Sequence, residues 1–214
     1  MQRSTKPLQL VYWNLQGNAQ AVRYALEYFG VPYTETRKEI SEWENWLKEK
    51  PTLGLDFPNL PYIVDGDFKL SESMALLQYV ALKAKQPQAL GGDDIDRIKV
   101  TEMLGVLLDV KEAIFNVLWR DASTDEAKRK ENFVKCKEKF DYFGKLLGDK
   151  EFLLGYITIP DFFLFYMLDL VNLIDAKEFE SYNDPIKNYY KKFANLPQIK
   201  AYRETEAFKS LPWK

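Results

Sequence analysis

Periodic apolar positions divide this chain into a first part that mixes strands with helices and a second part that is helical throughout. A short unbroken apolar run indicates a buried strand, and apolar residues that recur every three or four positions indicate a helix. Read in chain order, these signals predict a strand over 8–13, a helix over 19–29, a strand over 33–37, a helix over 42–50, a hairpin of strands over 61–64 and 68–70, and a helix that follows Ser73. Gly30 and Pro51 mark the ends of the first two helices.

The order βαβαββα predicts a thioredoxin-like layout, an α+β domain in which helices cover both faces of a mixed sheet. A polar stretch over 83–94, which contains Pro87 and two adjacent glycines, is the one segment with the composition of a linker. We therefore predict a thioredoxin-like domain over 1–85, a linker over 86–94 and an all-helical domain over 95–214.

Three apolar patterns support the helical second part. Apolar residues at helical spacing predict a long amphipathic helix over 95–118 and a second apolar stripe over 133–147. The run 162–168 is apolar on all sides, as expected of a helix at the centre of a bundle. It follows Thr158-Ile159-Pro160-Asp161, which has the form of a capping box with proline in the first turn.

Composition removes several classes of function. The 214 residues include 46% apolar and 29% charged residues, which is typical of a soluble globular protein. A net charge of −2 gives no electrostatic argument for binding nucleic acid or an anionic membrane. The chain has no histidine, which excludes Ser-His-Asp and Cys-His catalysis. A zinc site is not expected either, because Cys136 is the only cysteine.

The expected location is the cytoplasm. A single cysteine excludes an internal disulfide and suits a reducing compartment. The residues after Met1 lack the charged-then-apolar layout of a signal peptide. The most apolar run is far shorter than a membrane span.

Two motifs place unusual residues at the ends of strands. In Tyr12-Trp13-Asn14-Leu15-Gln16-Gly17 a tyrosine lies where a strand gives way to a helix, and in Asp56-Phe57-Pro58-Asn59-Leu60-Pro61-Tyr62 a proline precedes a strand. A tyrosine hydroxyl can donate to a thiolate and lower the thiol pKa from about 8.5. If the Leu60–Pro61 bond is cis, the turn offers the Leu60 backbone to an extended peptide. The plainer alternatives are an aromatic residue that ends a buried strand and a proline tolerated at a strand start.

These motifs resemble the cytosolic glutathione transferases, closest to the mu and sigma classes, and the resemblance covers nearly the whole chain. It implies the glutathione transferase fold, a thioredoxin-like domain followed by a helical bundle, with Tyr12 donating to the glutathione sulfur. Trp43 stands where mu-class proteins tend to have arginine, and the segment between Tyr33 and Trp46 is shorter than theirs. The class, mu-like or sigma-like, therefore stays open.

The resemblance also implies a set of residues that bind glutathione. In it, Glu72 receives the amine, Ser73 at a helix start receives the γ-glutamyl carboxylate, and Lys50 faces the glycine carboxylate. Asp109 reaches the amine of glutathione across a homodimer. The implied set is Tyr12, Trp13, Trp46, Lys50, Asn59, Leu60, Pro61, Glu72, Ser73 and Asp109. An ordinary helix cap at Glu72-Ser73, a surface lysine and an acidic residue on a mixed helix face are the corresponding alternatives.

By the same resemblance, an apolar pocket for an electrophile would be lined by Leu15, Asn18, Phe115, Trp119 and Phe208. Aromatic residues on helices are equally often plain core. Arg23 and Asp161 are expected to be structural, and Cys136 to be a buried, inert thiol.

The leading functional hypothesis is a glutathione S-transferase that conjugates the thiolate to a hydrophobic electrophile. Glutathione would be the cosubstrate, and no metal or prosthetic group is required. The same activated thiol could instead serve a glutathione-dependent isomerase, as in the sigma-class prostaglandin synthases, or a peroxidase. A third possibility is a non-catalytic scaffold of the same fold, as in lens crystallins and elongation-factor subunits. The expected partners are a second copy of the chain and these small molecules, with no nucleic acid and no membrane.

Overall fold

The computed structural model of the chain describes residues 7–214. The expectation about a signal peptide falls partly on residues 1–6, which lie outside the described part. Contacts divide the chain into two compact units, of which the first comprises residues up to 86 together with 201–214, and the second comprises 87–200. No helix in the described range is long and apolar enough to cross a membrane.

The first unit is built on a four-stranded mixed sheet. Its elements up to residue 83 are β1 (Leu8–Trp13), α1 (Gln20–Tyr28), β2 (Tyr33–Lys38), α2 (Trp43–Glu49), β3 (Tyr62–Asp65), β4 (Phe68–Ser71) and α3 (Ser73–Lys83). The strand order is β2-β1-β3-β4, with β1 parallel to β2 and antiparallel to β3. The predicted βαβαββα order and mixed sheet are confirmed.

β1 forms the centre of this unit because its side chains are apolar on both faces. Leu8 and Leu10 are fully buried, and Val11 is nearly so. The backbone N–H and C=O groups of a buried strand need hydrogen-bond partners on both edges, which β2 and β3 supply. The carboxyl end of β1 leads into a 3₁₀ turn over Gly17–Ala19, and this turn lies beside Tyr12.

The second unit consists of helices. They are α4 (Asp94–Trp119), α5 (Glu126–Leu147), α6 (Ile159–Ile174), α7 (Ala176–Glu180) and α8 (Asp184–Ala194). Residues 159–171 of α6 are all buried, as its uniformly apolar sequence predicts. The capping box at its start is also confirmed: the Thr158 N–H and hydroxyl both donate to the Asp161 carboxylate at 2.8 Å.

The end of the chain belongs to the first compact unit by its contacts. α9 (Pro197–Glu204) crosses the boundary between the units, and α10 (Glu206–Lys209) lies in the first unit. Hydrogen bonds join this segment to the rest of the first unit, among them the Gln16 N–H to the Pro212 oxygen at 2.8 Å, Arg37 to the Ala207 oxygen at 3.0 Å, and Arg203 to the Tyr24 hydroxyl at 3.0 Å. Helical periodicity cannot show which body a helix packs against. The domain bounds 1–85, 86–94 and 95–214 stay a prediction.

Candidate functional site

The Tyr12 hydroxyl is the chemical centre of the candidate site. Tyr12 is 5% exposed, and its hydroxyl oxygen accepts a hydrogen bond from the Asn18 N–H at 2.9 Å. Among residues 7–214 the hydroxyl donates to no acceptor, so its proton is available to a bound group. Burial raises the pKa of Tyr12 above its ordinary value of 10.0, while the Asn18 hydrogen bond and the charge of Arg23 act in the opposite direction. The phenol therefore keeps its proton near neutral pH and acts as a donor.

Gly17 allows the turn after β1 to close over the Tyr12 ring. Its φ is +41°, a region that side-chain-bearing residues adopt at a cost. A Cβ at this position would lie 2.5 Å from Tyr12 Oη and would also collide with Leu15 Cδ1. Only a residue without a side chain fits between these two neighbours. This role of Gly17 was not predicted; the motif contains the glycine, but sequence alone does not show what it touches.

The strand register brings the proline motif to Tyr12. Val11 pairs with Tyr62 as the last pair of the antiparallel β1–β3 ladder, and Tyr12 and Pro61 are the residues that adjoin this pair in sequence. The Leu60–Pro61 bond is cis, as the sequence argument required, and both residues are buried. The two motifs, which begin at Tyr12 and Asp56, are therefore neighbours at the end of the sheet where β1 ends and β3 begins.

Glu72 has an unusual backbone at the start of α3. Its φ is +73°, and its carboxylate caps no N–H of the helix. Instead it accepts a hydrogen bond from the Asn59 side chain at 3.0 Å, which ties the proline turn to the helix start. The plain helix-cap alternative is weakened, because the side chain does not perform that task. A non-glycine residue held at positive φ is characteristic of functional sites. Ser73 follows as the first residue of the helix, where backbone N–H groups point outward.

Aromatic contacts pack α2 against the same end of the sheet, where β1 ends and β3 begins. Trp46 is buried, stacks on Tyr62 with ring centroids 6.4 Å apart, and meets Trp13 edge-on at 6.3 Å. Lys50 lies one turn further along and donates its backbone N–H to the Trp46 oxygen. Trp43 is 52% exposed, and its ring packs on the Trp13 ring with centroids 5.8 Å apart. The predicted one-face relation of Trp46 and Lys50 agrees with this helical turn.

Three of the predicted site residues lie on α4 in the second unit. Asp109 is exposed, Trp119 is largely exposed, and Phe115 is half-buried with the Lys111 ammonium 5.8 Å from its ring centroid. Exposure of Asp109 is compatible with contact to another molecule. Its predicted reach to glutathione stays a prediction.

The other predicted pocket residues lie in the first unit. Leu15 is buried next to Tyr12, and Asn18 is half-buried, with its side-chain oxygen buried and unpaired among the described residues. Phe208 packs edge-on against Tyr202 at 5.3 Å and lies 6.3 Å from Tyr24. Much of the Phe208 ring is thus used in packing. Whether all five predicted residues line one pocket stays a prediction.

The fold and the site together define a protein with a tyrosine-bearing thioredoxin-like unit and an all-helical unit. Residues 8–82 match the family model "Glutathione S-transferase, N-terminal domain", and residues 108–206 match "Glutathione S-transferase, C-terminal domain". The chain therefore belongs to the glutathione S-transferase family.

Relatives and solved structures agree with this assignment. The chain is 32% identical to glutathione S-transferase Mu 1 of Bos taurus, covering 94% of this chain and 93% of the relative. It is 33% identical to the class-mu 26 kDa isozyme of Schistosoma japonicum, over 95% and 91% of the two chains. The glutathione S-transferase Blo t 8 superposes with a TM-score of 0.78 at 26% identity, covering 96% of each chain. A pi-class structure from Onchocerca volvulus, at 19% identity and a TM-score of 0.81 over 98% of each chain, supports the fold alone.

Proposed function

We propose that the protein is a glutathione S-transferase that conjugates the glutathione thiolate to hydrophobic electrophiles. The observation that carries this proposal is the Tyr12 hydroxyl, whose oxygen is occupied by the Asn18 N–H while its proton has no acceptor in the described chain. A thiol bound there would receive that proton as a hydrogen bond.

The chemical consequence is a lower thiol pKa. A hydrogen bond to a charged acceptor stabilises it by about 1.5–3 kcal/mol. This corresponds to about one to two pKa units, so a thiol with pKa about 8.5 would become a substantial fraction thiolate at pH 7. The thiol proton leaves to solvent, the sulfur attacks the electrophilic carbon, and the leaving group departs with its bonding electrons. Tyr12 keeps its own proton throughout, in line with its raised pKa.

The remaining residues would hold the tripeptide. We propose that the Leu60 backbone pairs with the cysteinyl backbone, that Glu72 and Ser73 receive the γ-glutamyl end, and that Trp46 and Lys50 close on the glycine end. The Asn59–Glu72 hydrogen bond supports this arrangement because it holds the glutamyl and cysteinyl contacts at a fixed spacing. Trp13 supports it by packing on Trp46. No cofactor beyond glutathione as cosubstrate is part of the proposal.

A homodimer and a cytoplasmic location complete the proposal. Phe57 is 77% exposed, and we propose that it is buried against a second copy of the chain. Asp109 on α4 is exposed and would complete the partner's site. Sedimentation of the wild type and Phe57→Ser tests this: we expect a dimer that dissociates in the variant. A wild-type monomer would contradict the proposal.

The catalytic proposal is tested with Tyr12→Phe. We expect kcat/KM with a chlorinated aromatic substrate to fall at least about tenfold, with the pKa of bound glutathione rising by about one to two units. Glutathione affinity should change little. Tyr33→Phe is the matched control, because it also removes a tyrosine hydroxyl that is hydrogen-bonded, here to Glu27 at 2.9 Å on the β2 side of the unit. Unchanged turnover in Tyr12→Phe would remove this residue from the mechanism. Failure of the wild type to bind a glutathione column would favour a scaffold.

A further inference from the structure

Arg23 is a fully buried cation on α1, close to Tyr12. Burying a charge is costly unless it is paired and hydrogen-bonded. Its Nε donates to the Glu35 carboxylate at 2.7 Å, and its Nη1 donates to the backbone oxygens of Leu15 at 3.1 Å and Gln16 at 3.0 Å. Nη1 also donates to Gln20 Oε1 at 3.1 Å, and Nη2 forms an ion pair with Glu35 at 2.7 Å. The guanidinium is thus held by one carboxylate, by the Gln20 side chain and by the turn that follows β1.

The turn that Arg23 holds is the one that contacts the Tyr12 hydroxyl. Leu15 and Gln16 supply the two carbonyls, and Asn18, two residues later, supplies the N–H on the Tyr12 oxygen. The guanidinium carbon also lies 5.9 Å from the centroid of the Tyr12 ring. Arg23 therefore reaches Tyr12 in two ways, through the backbone of the turn and through space.

We infer that Arg23 is a positioning residue for Tyr12: it keeps the Asn18 N–H on the tyrosine oxygen, and its charge makes the tyrosine proton a stronger donor to the bound thiolate. Glu35 sets the size of this effect, because it neutralises part of the Arg23 charge. This inference rests on the proposed function and adds to it a group that never touches glutathione.

The physical argument combines polarisation with charge. A hydrogen bond accepted by the phenol oxygen strengthens the one that the phenol donates. The Arg23 guanidinium carbon lies 5.9 Å from the centroid of the Tyr12 ring, and its charge acts to lower the pKa of the phenol, against the larger effect of burial. At about 10 Å and surface-like screening a unit charge changes a pKa by about one unit, which is the size expected for a guest sulfur.

The charged groups around Tyr12 come from two elements. Arg23 approaches from α1. From β2, Glu35 binds Arg23 and also accepts from Arg37 at 2.9 Å, and Arg37 is the register partner of Tyr12. Glu35 thus lies between two cations, and its charge opposes theirs at Tyr12. Removing the Glu35 charge should lower the thiol pKa, and removing the Arg23 charge should raise it.

The test is the pKa of glutathione bound to the full-length protein, read from the ultraviolet absorbance of the thiolate, together with the pH profile of kcat/KM. Arg23→Gln should raise that pKa by about one unit. Glu35→Gln keeps an acceptor for Arg23 and should lower it by a few tenths of a unit. Arg23→Lys keeps the charge but loses the guanidinium that donates to Leu15 and Gln16. The pKa of glutathione bound to this variant should therefore lie between the values for the wild type and Arg23→Gln.

The decisive result is that Arg23→Gln and Glu35→Gln shift the pKa of bound glutathione in opposite directions. If Arg23 and Glu35 were merely structural, both variants would be less stable, and the pKa would stay unchanged or shift in the same direction in both. If Arg23→Gln does not fold, Glu35→Gln and Arg23→Lys still decide the matter. Arg203→Gln is the control, since it removes an arginine of the same unit that donates to the Tyr24 hydroxyl at 3.0 Å; the pKa of glutathione bound to this variant should match that of the wild type. If the wild type lowers the pKa of bound glutathione and the variants give the same pKa as the wild type, this inference alone is overturned. If the pKa of glutathione bound to the wild type is ordinary, the proposed function is overturned.

Discussion

Replacing Gly17 with alanine would put one methyl group against the Tyr12 ring. The added Cβ would lie 2.5 Å from Tyr12 Oη and 2.9 Å from Cε1, and it would also meet Leu15 Cδ1. Carbon atoms pack at about 3.5–4.0 Å. The ring or the turn must therefore move by about 1 Å. The backbone adds a separate cost of about 1–2 kcal/mol, because φ at this position is +41°.

The displacement fixes the expected size of the effect. A shift of about 1 Å in a catalytic group can lower a rate by about 10²-fold. We therefore expect kcat/KM of Gly17→Ala to fall by between about tenfold and 10²-fold. Glutathione affinity should change by less than about threefold, since most of the proposed contacts lie elsewhere. Overpacking and backbone strain together should lower the unfolding free energy by about 2–5 kcal/mol.

Gly30→Ala is the matched control. Gly30 also has a positive φ, +63°, but none of the described residues has a heavy atom within 4 Å of the added Cβ. It should lose about 1–2 kcal/mol of stability and keep its activity within about twofold. Steady-state conjugation, calorimetric glutathione binding and urea unfolding measure the three quantities. Activity of Gly17→Ala within threefold of the wild type, or an equal loss in Gly30→Ala, would refute the reasoning.

The helical unit offers further tests. Asp161 is fully buried and accepts the Leu153 N–H together with the N–H and hydroxyl of Thr158, so Asp161→Ala should lower the unfolding free energy by about 3–5 kcal/mol in urea titrations. Burial raises the pKa of Asp161 from 3.8 to about 6, so the folded state binds this proton more tightly than the unfolded state does. The resulting contribution to the unfolding free energy is fully present below about pH 4 and is lost as the pH rises through about 6. The unfolding temperatures of the wild type and this variant should therefore approach each other as the pH rises from about 4 to about 6. A difference that widens over this range would contradict the direction of the pKa shift. Burial raises the pKa of the Cys136 thiol to about 12, so iodoacetamide should label it slowly in the native protein and rapidly in urea.

Local signals in the sequence were enough to predict most elements. The unbroken apolar run of β1, the glycine and proline stops and the helical stripes depend on residues only a few positions apart. The capping box at Thr158 and Asp161 was predicted for the same reason, because both partners lie within one turn. Boundaries moved by a residue or two, as in α1, which begins at Gln20 rather than 19.

Contacts between distant residues were beyond such signals. The aromatic packing of Trp43 on Trp13 depends on how α2 turns over the sheet. The attachment of residues 201–214 to the first unit depends on backbone oxygens that any sequence would supply. Periodicity carries no information about either.

The sequence by itself determined the order of strands and helices and the family resemblance, and it singled out Tyr12 as the residue proposed to donate to the glutathione sulfur. The tertiary structure alone decided the surroundings of that hydroxyl: the strand register that pairs Val11 with Tyr62 and so brings the two motifs together, the Asn18 N–H on its oxygen, and the buried charge of Arg23 beside its ring. The physical reason is that a hydrogen bond's strength and direction depend on atoms brought together by folding. Residue type fixes which donors exist, whereas packing fixes where their protons point.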